Sequence, residues 1–110
     1  MSEELLLNKS IVDIGDRCNS FSNNFKAEML MKGYQIKKEK ALRGKNETGN
    51  IITLAKRLEG FLPVQINVEI KRNHDDLLIT AFSSSKKDVS PIIIEDIEKI
   101  CEKVKGKCST

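Results

Sequence analysis

The residues whose chemistry stands out in this chain are cations. From Lys32 to Lys45 there are six Lys or Arg (Lys32, Lys37, Lys38, Lys40, Arg43, Lys45) against one acid, Glu39, and Arg43-Gly44-Lys45 forms a basic turn broken by glycine. A glycine turn ahead of a helix brings backbone N–H groups and two cations toward a phosphate, and the helix dipole adds to the attraction. The same residues also make an ordinary solvated turn; Lys37 and Lys40 close by tilt the reading toward anion binding. The net charge of +3 is only mildly basic, so the excess is local.

Catalytic constellations are missing from the pattern. GKNET at 44–48 has no glycine five residues before Gly44, and Asn46 follows the lysine, so it lacks the spacing of a nucleotide-triphosphate phosphate loop. His74 is the single histidine, set in a polar turn with no fixed partner in sequence; it reads first as a solvent-exposed turn residue and, as a functional alternative, as a phosphate contact rather than a base or ligand. Ser83-Ser84-Ser85 has no His–Asp setting. The expectation is a protein that is not an enzyme, with no cofactor and no metal.

Composition narrows the class further. At 110 residues, 32% charged and 39% apolar, the chain reads as one globular domain. Cys18, Cys101 and Cys108 are odd in number and lack a C-x-x-C spacing, which points to reduced thiols and a cytoplasmic or nuclear compartment. Leu5-Leu6-Leu7 follows acids and is too short for a signal segment or a membrane span. Of the aromatics, Phe21, Phe25 and Phe61 fall on helical core faces and Tyr34 on a strand's buried side. Recognition is therefore expected through backbone charge and shape rather than a base-stacking platform.

The elements that position the cations follow from periodicity. SIVDI, 10–14, reads as a first strand after an N-terminal extension, 1–9. Phe21, Phe25 and Met29 recur every four residues, capped by Asn19 or Ser20 and stopped at Lys32-Gly33, which predicts a helix. YQIKKEKAL, 34–42, reads as a strand. Ile51, Leu54, Ala55, Leu58, Phe61 and Leu62 share a helical face between Asn50 and Pro63, predicting a second helix. Val64, Ile66, Val68 and Ile70 alternate with polar residues, and after the turn RNHDD the run LLITAFS completes a hairpin. Ser90-Pro91 opens a C-terminal helix with Ile93, Ile97, Ile100, Cys101 and Val104 as its stripe, closed by Gly106. The stripe reads as packing on its own sheet or on a partner.

These elements predict an α+β, two-layer α/β sandwich of order βαβαββ with an extra C-terminal helix, the first strands running parallel through a right-handed crossover. The domain spans 10–86, with 87–110 as the added helix.

Three places resemble the Alba family of nucleic-acid-binding proteins: IVDIGDR at 11–17, the Arg43-Gly44-Lys45 turn, and IITLAKRL at 51–58. The resemblance implies non-catalytic RNA or DNA binding, RNA foremost, by a homo- or heterodimer. It points to Arg17, Arg43, Gly44, Lys45, Lys71, Arg72 and His74 as contacts, with Lys37 and Lys40 added by the local charge excess. Asp16 and Gly49 depart from the basic residues common at those places in the family. The run KGYQIKKEKALRGK with DLLITAFSSSKK is also similar to the C-terminal domain of bacterial translation initiation factor three, and among Alba's wider relatives are subunits of ribonuclease P and MRP particles. These imply a subunit of a ribonucleoprotein or ribosome-associated assembly acting mainly through protein contacts.

Overall fold

The computed structural model describes residues 3–11, 21–43, 47–56, 64–73, 76–84, 87 and 89–108. Within them lie seven elements: β1 (Glu4–Ile11), α1 (Phe21–Met31), β2 (Gln35–Arg43), β3 (Glu47–Lys56), β4 (Val64–Asn73), β5 (Asp76–Ser83) and α2 (Pro91–Cys108). The strands form one sheet of order β1-β5-β4-β3-β2, and every neighbouring pair is antiparallel. The fold is α+β in two layers, a sheet with both helices on one face.

Two expectations are corrected here. The segment expected as a second helix, 51–62, is the strand β3 as far as Lys56, paired with β2 on one side and β4 on the other. Its helical spacing is real, but Ile51-Ile52-Thr53 is a β-branched run, and this strand carries apolar residues on both faces, Ile52 and Leu54 on one and Ile51 and Ala55 on the other, which mimics helical periodicity. The N-terminal extension is largely β1, because Glu4 to Ile11 pair along the free side of β5. As expected, β1 and β2 run in the same direction, since four successive antiparallel pairings separate them, but they occupy opposite edges of the sheet rather than neighbouring positions, and α1 carries the chain between them.

The α1 helix ends where glycine allows it to. Gly33 has φ +91°, its N–H donates to Leu30 O at 3.0 Å, and the Tyr34 N–H donates to Met29 O at 3.1 Å. This pair of bonds is the glycine-terminated helix stop, completed by burial of Met29 and Tyr34. The α2 helix starts as read, with the Ile93 N–H on Ser90 O at 2.9 Å and the Ile92 N–H on the Ser90 hydroxyl at 3.3 Å. It runs through Gly106 to Cys108.

The α2 stripe belongs to its own core, not to a partner. Ile93, Ile97, Ile100, Cys101 and Val104 are buried with Phe21, Phe25 and Met29 of α1 against Ile52, Leu54, Ile66, Val68, Ile70, Ile79 and Ala81 of the sheet. At about 25 cal/mol per Å² of apolar surface, this shared burial is the main stabilising term. Among the described residues no helix is long and apolar enough to cross a membrane.

Candidate nucleic-acid interface

Strand register decides which face each cation serves. Residues directly opposed across antiparallel strands point to one face, so the sheet can be read in rows. On the helix-covered face one row runs Arg43, Thr48, Arg72, Leu77, Ile11. On the open face the rows run Lys38, Thr53, Asn67, Phe82, Leu5 and then Lys40, Ile51, Glu69, Thr80, Asn8. Lys71 faces the same open side, opposite Gly49 and Leu78.

The basic residues are thus divided rather than gathered on one rim. Arg43 and Arg72 share a row two strand spacings apart, about 10 Å. Lys40 and Lys71 lie on the other face, and Lys37 is the residue skipped by the register shift between Ile36 and Lys38. Period-two alternation causes this split: neighbours along a strand cannot share a face. Both faces nevertheless meet at one end of the sheet, where Arg43 lies opposite Thr48 and Asn73 lies opposite both Glu47 and Asp76. Arg17, Gly44, Lys45 and His74 lie outside the described residues.

A cleft of about 280 Å³ opens at this end on the helix side, lined by Phe21 and Ser22 of α1 and by Arg43, Thr48 and Arg72 among others. The first turn of a helix leaves N–H groups unsatisfied and carries partial positive charge, so the two guanidinium groups and α1 favour the same sign of ligand. Gly49 also lines the cleft. A Cβ there would fall inside contact distance of the Ile70 carbonyl oxygen and 3.0 Å from Lys71 Cα. Close approach of β3 to β4 therefore accounts for glycine at this position.

Several other cations are engaged in the fold. Lys26 binds Glu39 at 2.8 Å and, helped by Asn50, holds that carboxyl below its usual range against the opposing effect of burial. Lys103 meets Glu28 at 3.0 Å, and Lys9 pairs with Glu102, which raises the Lys9 amine and lowers the Glu102 carboxyl. Lys32 and Lys56 both approach Asp96, at 3.6 and 4.0 Å, while the Lys56 amine stands 4.4 Å over the Tyr34 ring. By contrast, Lys37, Lys38, Lys40 and Arg43 make no ion pair among the described residues.

The open face holds a second hollow, of about 440 Å³, lined by Glu3, Lys38, Lys40, Ile51, Thr53, Asn67, Glu69 and Phe82. Its polar wall is fixed: the Thr53 hydroxyl donates to Asn67 Oδ1 at 2.7 Å, and Asn67 Nδ2 donates to Glu3 Oε1 at 2.9 Å. Sequence reasoning passed over Phe82 and Asn67. The signal was the alternation of LLITAFS, which turns Leu78, Thr80 and Phe82 away from the core that takes Leu77, Ile79 and Ala81.

No protein-family description, no curated protein and no solved structure matches this chain.

Proposed function

We propose that this chain is a non-catalytic nucleic-acid-binding module, RNA before DNA, that holds phosphates at the turn end of its sheet and works in a reducing compartment. The observation that carries the reading is the shared row of Arg43 and Arg72 beside the start of α1. With Lys40 and Lys71 on the reverse side of the same strands, a polyanion passing this end meets cations on both faces. Arg43, the residue that opens the Arg-Gly turn of the Alba resemblance, ends β2 there, although the strand at 47–56 departs from the βαβαββ order of that family.

The test is a titration of labelled single-stranded RNA, duplex RNA and duplex DNA at two salt concentrations, with wild-type protein and Arg43→Glu/Lys40→Glu. Expected is micromolar binding whose log affinity falls by about 0.7 to 0.9 per log unit of salt for each phosphate held. The double variant should lose at least tenfold, in line with roughly 1 kcal/mol or more per charge-assisted bond. Salt-independent binding, or equal binding by the variant, removes the proposal.

One observation favours a second reading, a subunit that works through protein contacts. Leu30, Met31 and Ile92 are 54%, 79% and 60% exposed, and the Lys32–Asp96 pair sets the end of α1 beside the start of α2, so all three crowd one end of the helical layer. Apolar exposure gathered this way marks interaction surfaces. Light scattering on wild type and Met31→Glu/Ile92→Glu decides: a dimer that becomes a monomer supports the contact, and an unchanged monomer rejects self-association there.

A further inference from the structure

We propose that the hollow on the open face seats one unpaired base of a single-stranded nucleic acid, with its backbone phosphate reaching Lys38 and Lys40. This rests on the nucleic-acid reading above and adds to it a preference for single strands.

Three features of the hollow argue for such an occupant. Its lining includes an exposed ring face: Phe82 on β5 is only half-buried, as is Ile51 on β3 across the strand that carries Asn67 and Glu69. Every base has a π-face, so an aromatic on an open sheet is a stacking partner that tolerates any sequence. At about 440 Å³ the space lies within the range of small-ligand sites.

The wall presents an amide with set orientation. An asparagine amide offers two N–H donors and two acceptor lone pairs. Thr53 takes one lone pair and Glu3 takes one N–H, so among the described residues Asn67 is held with one donor and one acceptor left over. That remaining pair matches the adjacent donor and acceptor on the Watson–Crick edge of a base, which is open to a protein only when the base is unpaired.

Charge completes the case. Glu69 is paired with Lys71 at 2.8 Å, and Glu3 accepts from Asn67. Lys38 and Lys40 have no such partner among the described residues, and they stand along the β2 side of the hollow. In the row that begins at Lys38, Phe82 is three strands away, about 14 Å. Unpaired cations at one margin and an apolar ring at the other fit a ligand with a phosphate at one end and a base at the other. A second copy of the chain seated face to face would instead bury these lysines without partners, which interface cores avoid.

The experiment compares a labelled single-stranded oligonucleotide, the same backbone without bases, the matching duplex, and a free nucleoside monophosphate, each titrated into wild-type protein and into Phe82→Leu. Expected is single-strand binding about tenfold tighter than binding of the base-free backbone, the advantage vanishing in Phe82→Leu. Amide NMR shifts should cluster on Ile51, Thr53, Asn67 and Phe82. Equal affinity for intact and base-free strands overturns this proposal while leaving phosphate binding at Arg43 and Arg72 intact. Monophosphate binding in the hollow with no strand binding keeps the subsite and overturns the strand reading above. Binding of nothing overturns both. A concentration-dependent dimer that Phe82→Leu dissociates assigns the face to self-association and also overturns the proposal. Because the base-free backbone needs no substitution, misfolding of the variant does not rescue the idea.

Discussion

The phenol of Tyr34 donates to the carboxylate of Asp96 at 3.1 Å, joining the residue that ends α1's glycine stop to the face of α2. Tyr34 is 2% exposed and is the single tyrosine of the chain. Burial first, and then the Asp96 charge, push its ionisation well above the ordinary tyrosine range. The unfolded chain then releases this proton before the folded one does. Stability from the neutral phenol is therefore complete below about pH 10 and declines as pH rises beyond it. The phenolate absorbance band, which Tyr34 alone supplies, should stay silent in native protein until alkaline unfolding. Tyr34→Phe should cost about 1 kcal/mol in denaturant unfolding; a phenol that titrates normally in the native state contradicts the buried contact.

Glu39 carries the opposite sign. Its folded value is depressed, chiefly by the Lys26 hydrogen bond, so its contribution is present above the ordinary carboxylate range and is lost as pH falls through the folded value. The pair is partly exposed, which limits the effect to about 0.5 kcal/mol. Glu39→Gln should flatten the acid limb of the stability curve below about pH 4.5 and leave the neutral region nearly unchanged. Guanidinium melts at a series of acid pH values would read this.

Two glycines should respond differently to alanine. At Gly33 there is open space, and only the positive φ opposes a side chain, so Gly33→Ala should cost about 1 kcal/mol. At Gly49 the added methyl meets the β4 backbone itself, so Gly49→Ala should cost about 3 kcal/mol and disturb β3–β4 pairing. Thermal melts with amide exchange on β3 and β4 separate the two; equal losses contradict the close approach.

Cys101 should behave as a core residue rather than a reagent. It is a free, fully buried thiol, and burial pushes its ionisation up to about 12. The Cys101 thiol should therefore label slowly in native protein at neutral pH and readily once the protein is denatured, read by mass spectrometry of that position, since the thiolate is the reactive form. Rapid labelling of Cys101 under native conditions runs against this packing.

The amino-acid order was sufficient for the elements whose period has one reading. Phe21, Phe25 and Met29 mark α1, Ile93 to Val104 mark α2, and the alternation from Val64 through Ile70 marks β4 with its hairpin partner. Each buries one face and leaves the other more exposed, so hydrophobic spacing carries the answer. The stretch from Ile51 to Ala55 does not. Ile52 and Leu54 enter the core while Ile51 lines the open hollow, and only the hydrogen bonds offered by β2 and β4 on either side decide for a strand. Leu5 to Leu7 likewise became an edge strand because β5 had a free side to pair. The clustering of basic residues near positions 40 and 72 was legible along the chain. Which of them share a face was not, because a shift of one residue in pairing reverses every side chain. Register, a property of strands brought together from distant parts of the chain, put Arg43 in line with Arg72 and set Asn67 beside Phe82.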